Sequence, residues 1–322
     1  MIFQKLTLVA CLSVFTFSTF AGKTEFVEVT ASPAVLAQLT THEEETRKKF
    51  SRFPTLSEPY TRATFNILQP FLPASPLILD LSSRVGKNGE IITNAMKGRG
   101  QYLGVDQEVT NVALAQKLYP GLQFKVGTEI PYMEGVNFSS YYEDVSELGT
   151  ADVVFMMFFA SRKTDPAGFI NSIYWRMKPG ALMVLMEPHQ GNDDVEAKKK
   201  THPAVDPRLF DLRPTVLTKA GVHLDLVFQL EFILSGMGAE VMKSVTDVCE
   251  TGKQAKPRLR SLFTQLLEED GSYSSDDRSA MLATVDMISD IAFVCSGQMH
   301  TFIARKPESS QVSSSSSSTT SK

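Results

Sequence analysis

The residues most capable of chemistry in this sequence follow a series of short apolar runs. LILD ends at Asp80 and is followed by the turn SSRVG, and QYLGV is followed by Asp106 and Gln107. A carboxylate placed there can accept hydrogen bonds from both hydroxyls of a ribose, and a turn of small residues lets a ligand approach the backbone closely. The later runs are followed by Gly127, Thr128, Glu129, Phe158, Phe159, Ser161, Glu187 and His189.

The apolar runs predict buried strands that alternate with helices. Near-continuous apolar strands separated by helices indicate a parallel sheet covered on both faces, which is a doubly wound α/β fold. In such sheets ligands bind beyond the carboxyl ends of the strands, near the point where the strand order switches. Strands are predicted over 77–81, 101–106, 122–127, 151–159 and 181–188, and helices over 56–72, roughly 87–97, 108–119 and 166–180.

The carboxyl-terminal part extends this sheet and carries an insert. Residues 215–238 predict one long helix or two, 239–248 predict a strand, and MHTFIARKP (299–307) predicts the last strand. The insert, 250–297, holds two helix-like pieces, and we regard it as a possible surface for a protein partner. The Ser-rich tail, 308–322, is of low complexity and is predicted to be disordered.

The first 21 residues have the layout of a secretory signal peptide. Lys5 precedes the apolar run LTLVACLSVFTF, which is shorter than the ~20 residues that span a bilayer, and Thr19 and Ala21 suit a cleavage site. Export to the periplasm or medium is therefore predicted, with no stable membrane span after cleavage. The alternatives are an uncleaved membrane anchor and a lipoprotein signal at Cys11. The charged residues 22–57 predict an N-terminal helical arm.

The composition is that of a globular protein, and the net charge gives no sign of a nucleic-acid-binding protein. The chain has 322 residues, 43% of them hydrophobic, and a formal net charge of −4. Without a basic excess, nothing indicates a nucleic-acid partner. The sequence has no metal-binding spacing, no G-x-S-x-G nucleophile motif and no Walker loop.

Five segments resemble, in order and spacing, the class I S-adenosylmethionine-dependent methyltransferases. They are LILDLSSRVGKNG, YLGVDQ, LQFKVG, ADVVFMMF and WRMKPGALMVLMEP, and the closing MHTFIARKP resembles that family's antiparallel last strand. The methyltransferase-like domain would span 58–307, with 250–297 as its helical insert. The resemblance implies a mostly parallel seven-stranded sheet with an antiparallel last strand, and S-adenosyl-L-methionine as the cofactor.

Carried over residue by residue, the family pattern also implies a set of cofactor contacts. Asp106 would bind the ribose hydroxyls, and Gln107 would lie near the adenine. Phe158 would fall where the loop after the fourth strand meets cofactor and substrate. The remaining implied contacts are Asp80, Ser82 and Gly86 in the first turn, and Thr128 and Glu129 beside the adenine.

The first turn departs from the family's G-x-G-x-G pattern, because it reads Ser82-Ser83-Arg84-Val85-Gly86. Ser82 could donate its hydroxyl to the cofactor carboxylate. The side chain of Arg84 would either crowd the homocysteine part of the cofactor or pair with its carboxylate. Thr128 stands where the family often has an acid.

Several of these residues also have a structural interpretation. Asp80 and Asp106 could cap the helices that follow them, and Phe158 could belong to the core. His189 is a weak candidate for a general base, since a lone histidine in a polar loop is often neither base nor ligand. An aromatic loop over 128–150, with Tyr132, Tyr141 and Tyr142, is predicted to line the pocket for the methyl acceptor.

Two functions from different classes follow. The first is an exported methyltransferase whose acceptor is unknown, and the aromatic loop suits a small or partly apolar one. The alternative is a non-catalytic methyltransferase-like binding protein that has lost the cofactor. The altered first turn favours this alternative, as does the scarcity of S-adenosylmethionine outside cells.

Cys249 and Cys295 are the two cysteines that remain if the signal peptide is removed. If the last two strands pair antiparallel, these residues lie at the mouth of the helical insert. In an oxidising compartment they could form one disulfide. Two buried free thiols are the alternative.

Overall fold

A computed structural model of the chain describes residues 57–128, 142, 144–189, 195, 196, 199, 200, 202–250, 255–287 and 294–308. The predicted signal peptide and the Ser-rich tail beyond Glu308 lie outside these residues, as does the predicted arm up to residue 56. These three assignments therefore stay predictions.

Helices and strands alternate along the described part as the sequence predicts. The helices are α1 (Ser57–Leu68), α2 (Lys87–Ala95), α3 (Val109–Leu118), α4 (Pro166–Arg176), α5 (Pro207–Lys219), α6 (Leu226–Gly236), α7 (Ala255–Asp270) and α8 (Ser275–Asp286). The strands are β1 (Leu77–Asp80), β2 (Gln101–Asp106), β3 (Gln123–Val126), β4 (Val153–Met157), β5 (Leu182–His189), β6 (Glu240–Glu250) and β7 (Val294–Arg305).

The seven strands form one sheet in the order β3-β2-β1-β4-β5-β7-β6. Six strands run parallel, and β7 runs antiparallel between β5 and β6. The predicted seven-stranded sheet with an antiparallel last strand is confirmed. The strand order switches direction between β1 and β4, which is where ligands bind in doubly wound sheets.

Both faces of the sheet are buried, and this explains the near-continuous apolar strands. All five residues of β4 are buried. Leu79, Met156 and Leu185 pack on one face against α4 and α6. Residues of alternate parity, such as Ile78 and Phe155, pack on the other face against α1, α2 and α3.

Several element boundaries differ from the predicted ones, and three of them bear on the site or the insert. β4 ends at Met157 because Phe158 adopts a left-handed φ of 52°. Residues 215–238 form parts of two helices, since Gly221 has a φ of 74° just after α5. β7 begins at Val294 rather than at 299, so the insert between β6 and β7 is shorter than 250–297.

A second hydrophobic core holds the helical insert together. It joins α7 and α8 to α5, which follows β5 in the chain. The Asp206 N–H, at the start of α5, donates to the Thr284 hydroxyl oxygen on α8 at 2.9 Å. The apolar side chains of this core are Val195, Val205, Leu209, Phe210, Leu212, Phe263, Leu266, Leu267, Met281 and Val285.

Candidate functional site

The candidate site lies at the carboxyl edge of the sheet, where the loops after β1 and β4 meet. The Leu81 N–H donates to the Phe155 carbonyl oxygen at 3.0 Å. The Met157 N–H donates to the Ser82 hydroxyl oxygen at 2.9 Å. The two loops at the switch point are therefore fixed to each other.

The buried carboxylate of Asp80 holds the turn after β1 through hydrogen bonds. The carboxylate is fully buried, and it accepts hydrogen bonds from the Ser82 N–H and the Ser82 hydroxyl, each at 2.8 Å. The Tyr102 hydroxyl donates to its second oxygen at 2.8 Å. Burial raises the pKa of Asp80 to about 6, against these three hydrogen bonds, which lower it. Both oxygens are thus used inside the protein.

The hydroxyl of Ser82 is used in the same network. It donates to Asp80 and accepts from the Met157 N–H. The expectation that this hydroxyl donates to a cofactor carboxylate is therefore wrong for the structure as it stands. Any contact of the turn with a ligand would come from its backbone.

Two residues of the turn after β1 adopt a left-handed backbone. Arg84 has a φ of 47° and Gly86 a φ of 86°, both left-handed. A Cβ on Gly86 would lie 2.7 Å from the Phe124 ring and 2.8 Å from that of Tyr119. Gly86 is therefore required, whereas Arg84 adopts a conformation that glycine adopts without strain.

The guanidinium of Arg84 lies among the charged groups of the carboxyl edge. Although the side chain as a whole is solvent-exposed, burial of the guanidinium by surrounding protein lowers the pKa of Arg84, and Arg162 lowers it further. Asp106, Asp80 and Glu187 act in the opposite direction.

Asp106 stands at the end of β2 with one oxygen occupied. Its Oδ1 accepts from the Glu108 N–H at 2.9 Å and from Asn111 Nδ2 at 3.0 Å. Within the described residues, Oδ2 accepts no hydrogen bond, and the side chain is partly exposed. Oδ1 thus holds the turn into α3, and Oδ2 stays available to a ligand hydroxyl. Gln107 is exposed beside it.

The carboxylate of Asp144 lies next to Thr128, the residue that follows β3. The carboxylate of Asp144 accepts from the Thr128 N–H at 2.9 and 3.0 Å and from the Thr128 hydroxyl at 3.0 Å. Glu129, the predicted neighbour, lies outside the described residues, as do Tyr132 and Tyr141. Tyr142 is fully buried, and its ring lies 6.4 Å from those of Phe159 and Phe169. It is a core residue, so the prediction that it lines the substrate pocket is wrong.

The loop after β4 is held by Glu187 on the neighbouring strand. Glu187 is fully buried, and its Oε1 accepts from the N–H groups of Phe159, Ala160 and Ser161 at 3.0, 2.8 and 3.3 Å. Its Oε2 accepts from the Ser161 hydroxyl at 2.7 Å. Burial raises the pKa of Glu187, against these hydrogen bonds. The carboxylate is therefore committed to the loop.

Phe158 and His189 complete the set of predicted residues. Phe158 is half-buried, and its N–H donates to the Met186 carbonyl oxygen at 2.9 Å. It packs on the side of the sheet that faces α1, α2 and α3. His189 ends β5 opposite Gln298, and its side chain lies outside the described part of the structure.

The structure brings together Asp80, Ser82, Gly86, Asp106 and Phe158 at the carboxyl edge around the switch point. Sequence reasoning missed the residues that hold or complete this arrangement. Asn111, one turn into α3, is the one that its spacing from Asp106 could have indicated. Tyr102 and Asp144 reach the site through long-range contacts, for which the sequence has no local signal.

The described residues hold neither a metal-binding cluster nor a membrane-spanning helix. No group of three His, Cys, Asp or Glu side chains lies close enough together there to hold a metal ion. No helix there is both long and apolar enough for a membrane span.

Comparisons with known proteins show similarity in structure alone. No protein-family model matches the chain. No curated protein sequence matches it. Similar solved structures include the YcgJ protein from Bacillus subtilis, with 14% identity, 77% of this chain and 99% of that chain covered, and a TM-score of 0.45.

Two further structures are methyltransferases. One is phosphoethanolamine N-methyltransferase 2 from Haemonchus contortus, bound to phosphomonomethylethanolamine and S-adenosylhomocysteine, with 17% identity, 76% and 53% coverage and a TM-score of 0.45. The chain spans about half the length of that enzyme. The other is precorrin-6y C5,15-methyltransferase from Geobacter metallireducens, with 13% identity, 76% and 87% coverage and a TM-score of 0.41.

Proposed function

We propose that the protein is an S-adenosylmethionine-dependent methyltransferase. The observation that carries this proposal is Asp106 at the end of β2, next to the switch point, with Oδ1 held by the protein and Oδ2 available to a ligand. A carboxylate oxygen placed so can accept from a ribose hydroxyl. The resemblance in sequence assigns that role to the same residue.

The residues around the switch point fit the cofactor in three respects. The turn after β1 has two left-handed residues, Arg84 and Gly86, so its backbone follows the course of a glycine loop. Phe158 offers a half-buried ring on the loop after β4. Asp144 places a carboxylate beside Thr128, the position at which the family often has an acid.

Methyl transfer requires little of the protein beyond alignment. When bound, S-adenosylmethionine supplies an electrophilic methyl group on its sulfonium. Asp106 would hold the ribose, the turn from Ser82 to Gly86 would hold the amino-acid part, and the loop after β4 would face the acceptor. Direct displacement gains most of its rate from this positioning, so the described residues need no catalytic triad.

The acceptor would bind between this edge and the helical insert. β5 and β6 end at the carboxyl edge and β7 begins there, so α5, α7 and α8 all extend from the side of the sheet that holds the site. Export is part of the proposal, and it rests on residues 1–21 alone.

Calorimetric titration of S-adenosylmethionine and S-adenosylhomocysteine into the full chain tests the proposal. We expect micromolar binding that Asp106→Asn weakens by ten- to a hundredfold, because an acceptor for a ligand hydroxyl becomes a donor. The asparagine oxygen can still accept from Glu108 and Asn111, so the turn should persist.

Asp152→Asn is the matched control. Asp152 lies at the amino edge of the sheet, where its carboxylate accepts from the Leu77 N–H at 2.8 Å and from Lys178 Nζ at 2.6 Å. It should bind cofactor as the wild type does. An absence of heat at millimolar ligand would contradict the proposal and favour the non-catalytic alternative.

A further inference from the structure

Two arginines, Arg84 and Arg162, stand on the two loops that flank the switch point. Arg84 lies in the turn after β1, and Arg162 ends the 3-10 helix Ala160–Arg162 after β4. β1 and β4 are adjacent parallel strands, so their loops leave the same edge side by side. The hydrogen bond from the Met157 N–H to Ser82 and the contacts of Glu187 with Ser161 fix the two loops in place.

Neither arginine has a partner within the part of the chain that the structure describes. Both side chains are exposed to solvent, and neither guanidinium forms a hydrogen bond or an ion pair there. Each guanidinium carries five N–H donors in a planar fork. Like charges on adjacent loops repel, and after burial the charge of Arg162 also lowers the pKa of Arg84.

The carboxylates near Arg84 are already committed to other donors. Asp80 accepts from Ser82 and Tyr102 beneath the turn. Glu187 accepts from the loop after β4 through both oxygens. Asp106 has only Oδ2 available, which the proposed function assigns to the ribose. The donors of the two arginines therefore remain for a ligand.

We propose that Arg84 and Arg162 together bind a negatively charged group, a phosphate or a carboxylate, on the methyl acceptor. This inference rests on the proposed function and deepens it by naming the class of acceptor. Guanidinium groups bind such oxyanions through parallel, charge-assisted hydrogen bonds.

Charge balance favours the acceptor over the cofactor as the source of the anion. S-adenosylmethionine carries a sulfonium, an ammonium and one carboxylate, so it brings a net positive charge to an edge whose solvent-accessible charges include two arginines and Asp106. Its carboxylate could neutralise one guanidinium and would leave the other opposed by the sulfonium and ammonium. An anionic acceptor offsets this repulsion.

Backbone strain at Arg84 also points to a role for its side chain. A left-handed φ costs a residue with a Cβ about 1 kcal/mol or more, and glycine would remove that cost. Strain of this kind at a ligand-binding edge indicates that the side chain contributes something glycine cannot.

Titration of inorganic phosphate at constant ionic strength into the full chain tests the anion site without the cofactor. We expect the wild type to bind, and either Arg84→Gln or Arg162→Gln to weaken binding tenfold or more. Arg84→Gln keeps a long side chain at the same φ, so it leaves the strain in place. Arg99→Gln removes an exposed arginine at the amino edge and should bind as the wild type does. Equal affinity in all four proteins, or no binding by the wild type, would overturn the inference.

A second titration separates the acceptor from the cofactor as the source of the anion. With phosphate saturating, the affinity for S-adenosylmethionine should rise severalfold, and that for the less positive S-adenosylhomocysteine should rise less. If phosphate weakens both, the arginines hold the cofactor's own carboxylate, and the acceptor assignment is wrong. If phosphate binds while neither cofactor does, the proposed function fails and the acceptor assignment with it. The arginines would then be the anion site of a binding protein.

Discussion

Burial disfavours the ionised form of the Asp80 carboxyl group, although its hydrogen bonds favour that form. Three donors contact the carboxylate, yet burial dominates and raises its pKa from 3.8 to about 6. The folded protein thus holds this proton more tightly than the unfolded chain does. Between these two values the folded state binds more protons, so the free energy of unfolding falls as the pH rises.

Asp80→Asn should therefore stabilise the fold in a pH-dependent way. Below the interval from 3.8 to about 6 the two proteins should be similar, because both carry a neutral side chain. Above it the variant should gain up to roughly 3 kcal/mol, at 1.36 kcal/mol per pKa unit. The asparagine oxygen can accept from Ser82, and its amide can donate to the Tyr102 oxygen.

Urea denaturation on both sides of the interval measures this difference. Tyr102→Phe is the companion variant, because it removes one donor to the carboxylate and should raise the pKa of Asp80 further. A difference between Asp80→Asn and wild type that does not change with pH would show that the carboxyl titrates alike in both states.

Positions at strand ends could be predicted from the sequence, but their partners could not. Asp80 and Asp106 follow apolar runs, so their place at one edge follows from the parallel sheet. Tyr102 and Asp144 contact the site because neighbouring strands and a later loop bring them there, across 22 residues in one case and 16 in the other. No local pattern encodes that distance in the chain.

The loop after β4 depends on a carboxylate from another strand. Glu187 Oε1 accepts hydrogen bonds from the N–H groups of Ala160 and Ser161, at the start of the 3-10 helix Ala160–Arg162. These N–H groups have no acceptor within the short helix itself. The His223 N–H, between α5 and α6, donates to the Ser161 carbonyl oxygen at 2.8 Å. The loop is therefore held from β5 on one side and from the start of α6 on the other.

Substitutions of Glu187 should separate its geometry from its charge. Glu187→Gln keeps an oxygen for the three N–H groups and a donor for Ser161, so we expect a change in unfolding free energy within about 1 kcal/mol. Glu187→Ala leaves those groups buried without an acceptor and should cost roughly 3 kcal/mol. Urea denaturation at neutral pH compares the three proteins. Equal losses in both variants would mean that the negative charge itself is needed.

Helices and strands could be placed from the periodicity of the sequence. The predicted boundaries are wrong where tertiary contacts decide where an element ends. The apolar run predicts that β4 continues through Phe159, since apolar residues extend an apolar strand. The chain turns at Phe158 instead. The Phe158 N–H donates to the Met186 carbonyl oxygen, and the Phe159 N–H donates to Glu187 Oε1. Conversely, β7 starts five residues early because β6 is there to pair with it.

The described part of the molecule has a sheet core and a second core, and the β6–β7 ribbon flanks the helical insert in the chain. The sheet core lies on both faces of the strands, and the second core joins α5 to α7 and α8. The sequence predicts the insert but not the membership of α5, because an amphipathic helix does not specify which apolar surface it packs against. At its far end the ribbon pairs Cys249 with Cys295, just past an irregularity after Val248.

That register supports the predicted disulfide at the base of the helical insert. Residues directly opposite in an antiparallel ladder have Cα atoms roughly 4.5 to 5.5 Å apart, within the range that a disulfide spans. The bond would close a loop of about 45 residues, and on the chain-entropy model it would stabilise the fold by roughly 4 kcal/mol.

Cleavage of the predicted signal peptide removes Cys11 and leaves two cysteines, so reaction with DTNB in denaturant without reductant should detect no thiol if the bond exists. Reductant should then lower the free energy of unfolding by up to roughly 4 kcal/mol. It should leave the Cys249→Ser/Cys295→Ser double variant unchanged, because that protein has no bond to lose. Two reactive thiols in protein made in an oxidising compartment would show that the strands pair without a covalent link. Packing of α5 against α7 and α8 would then hold the insert in place.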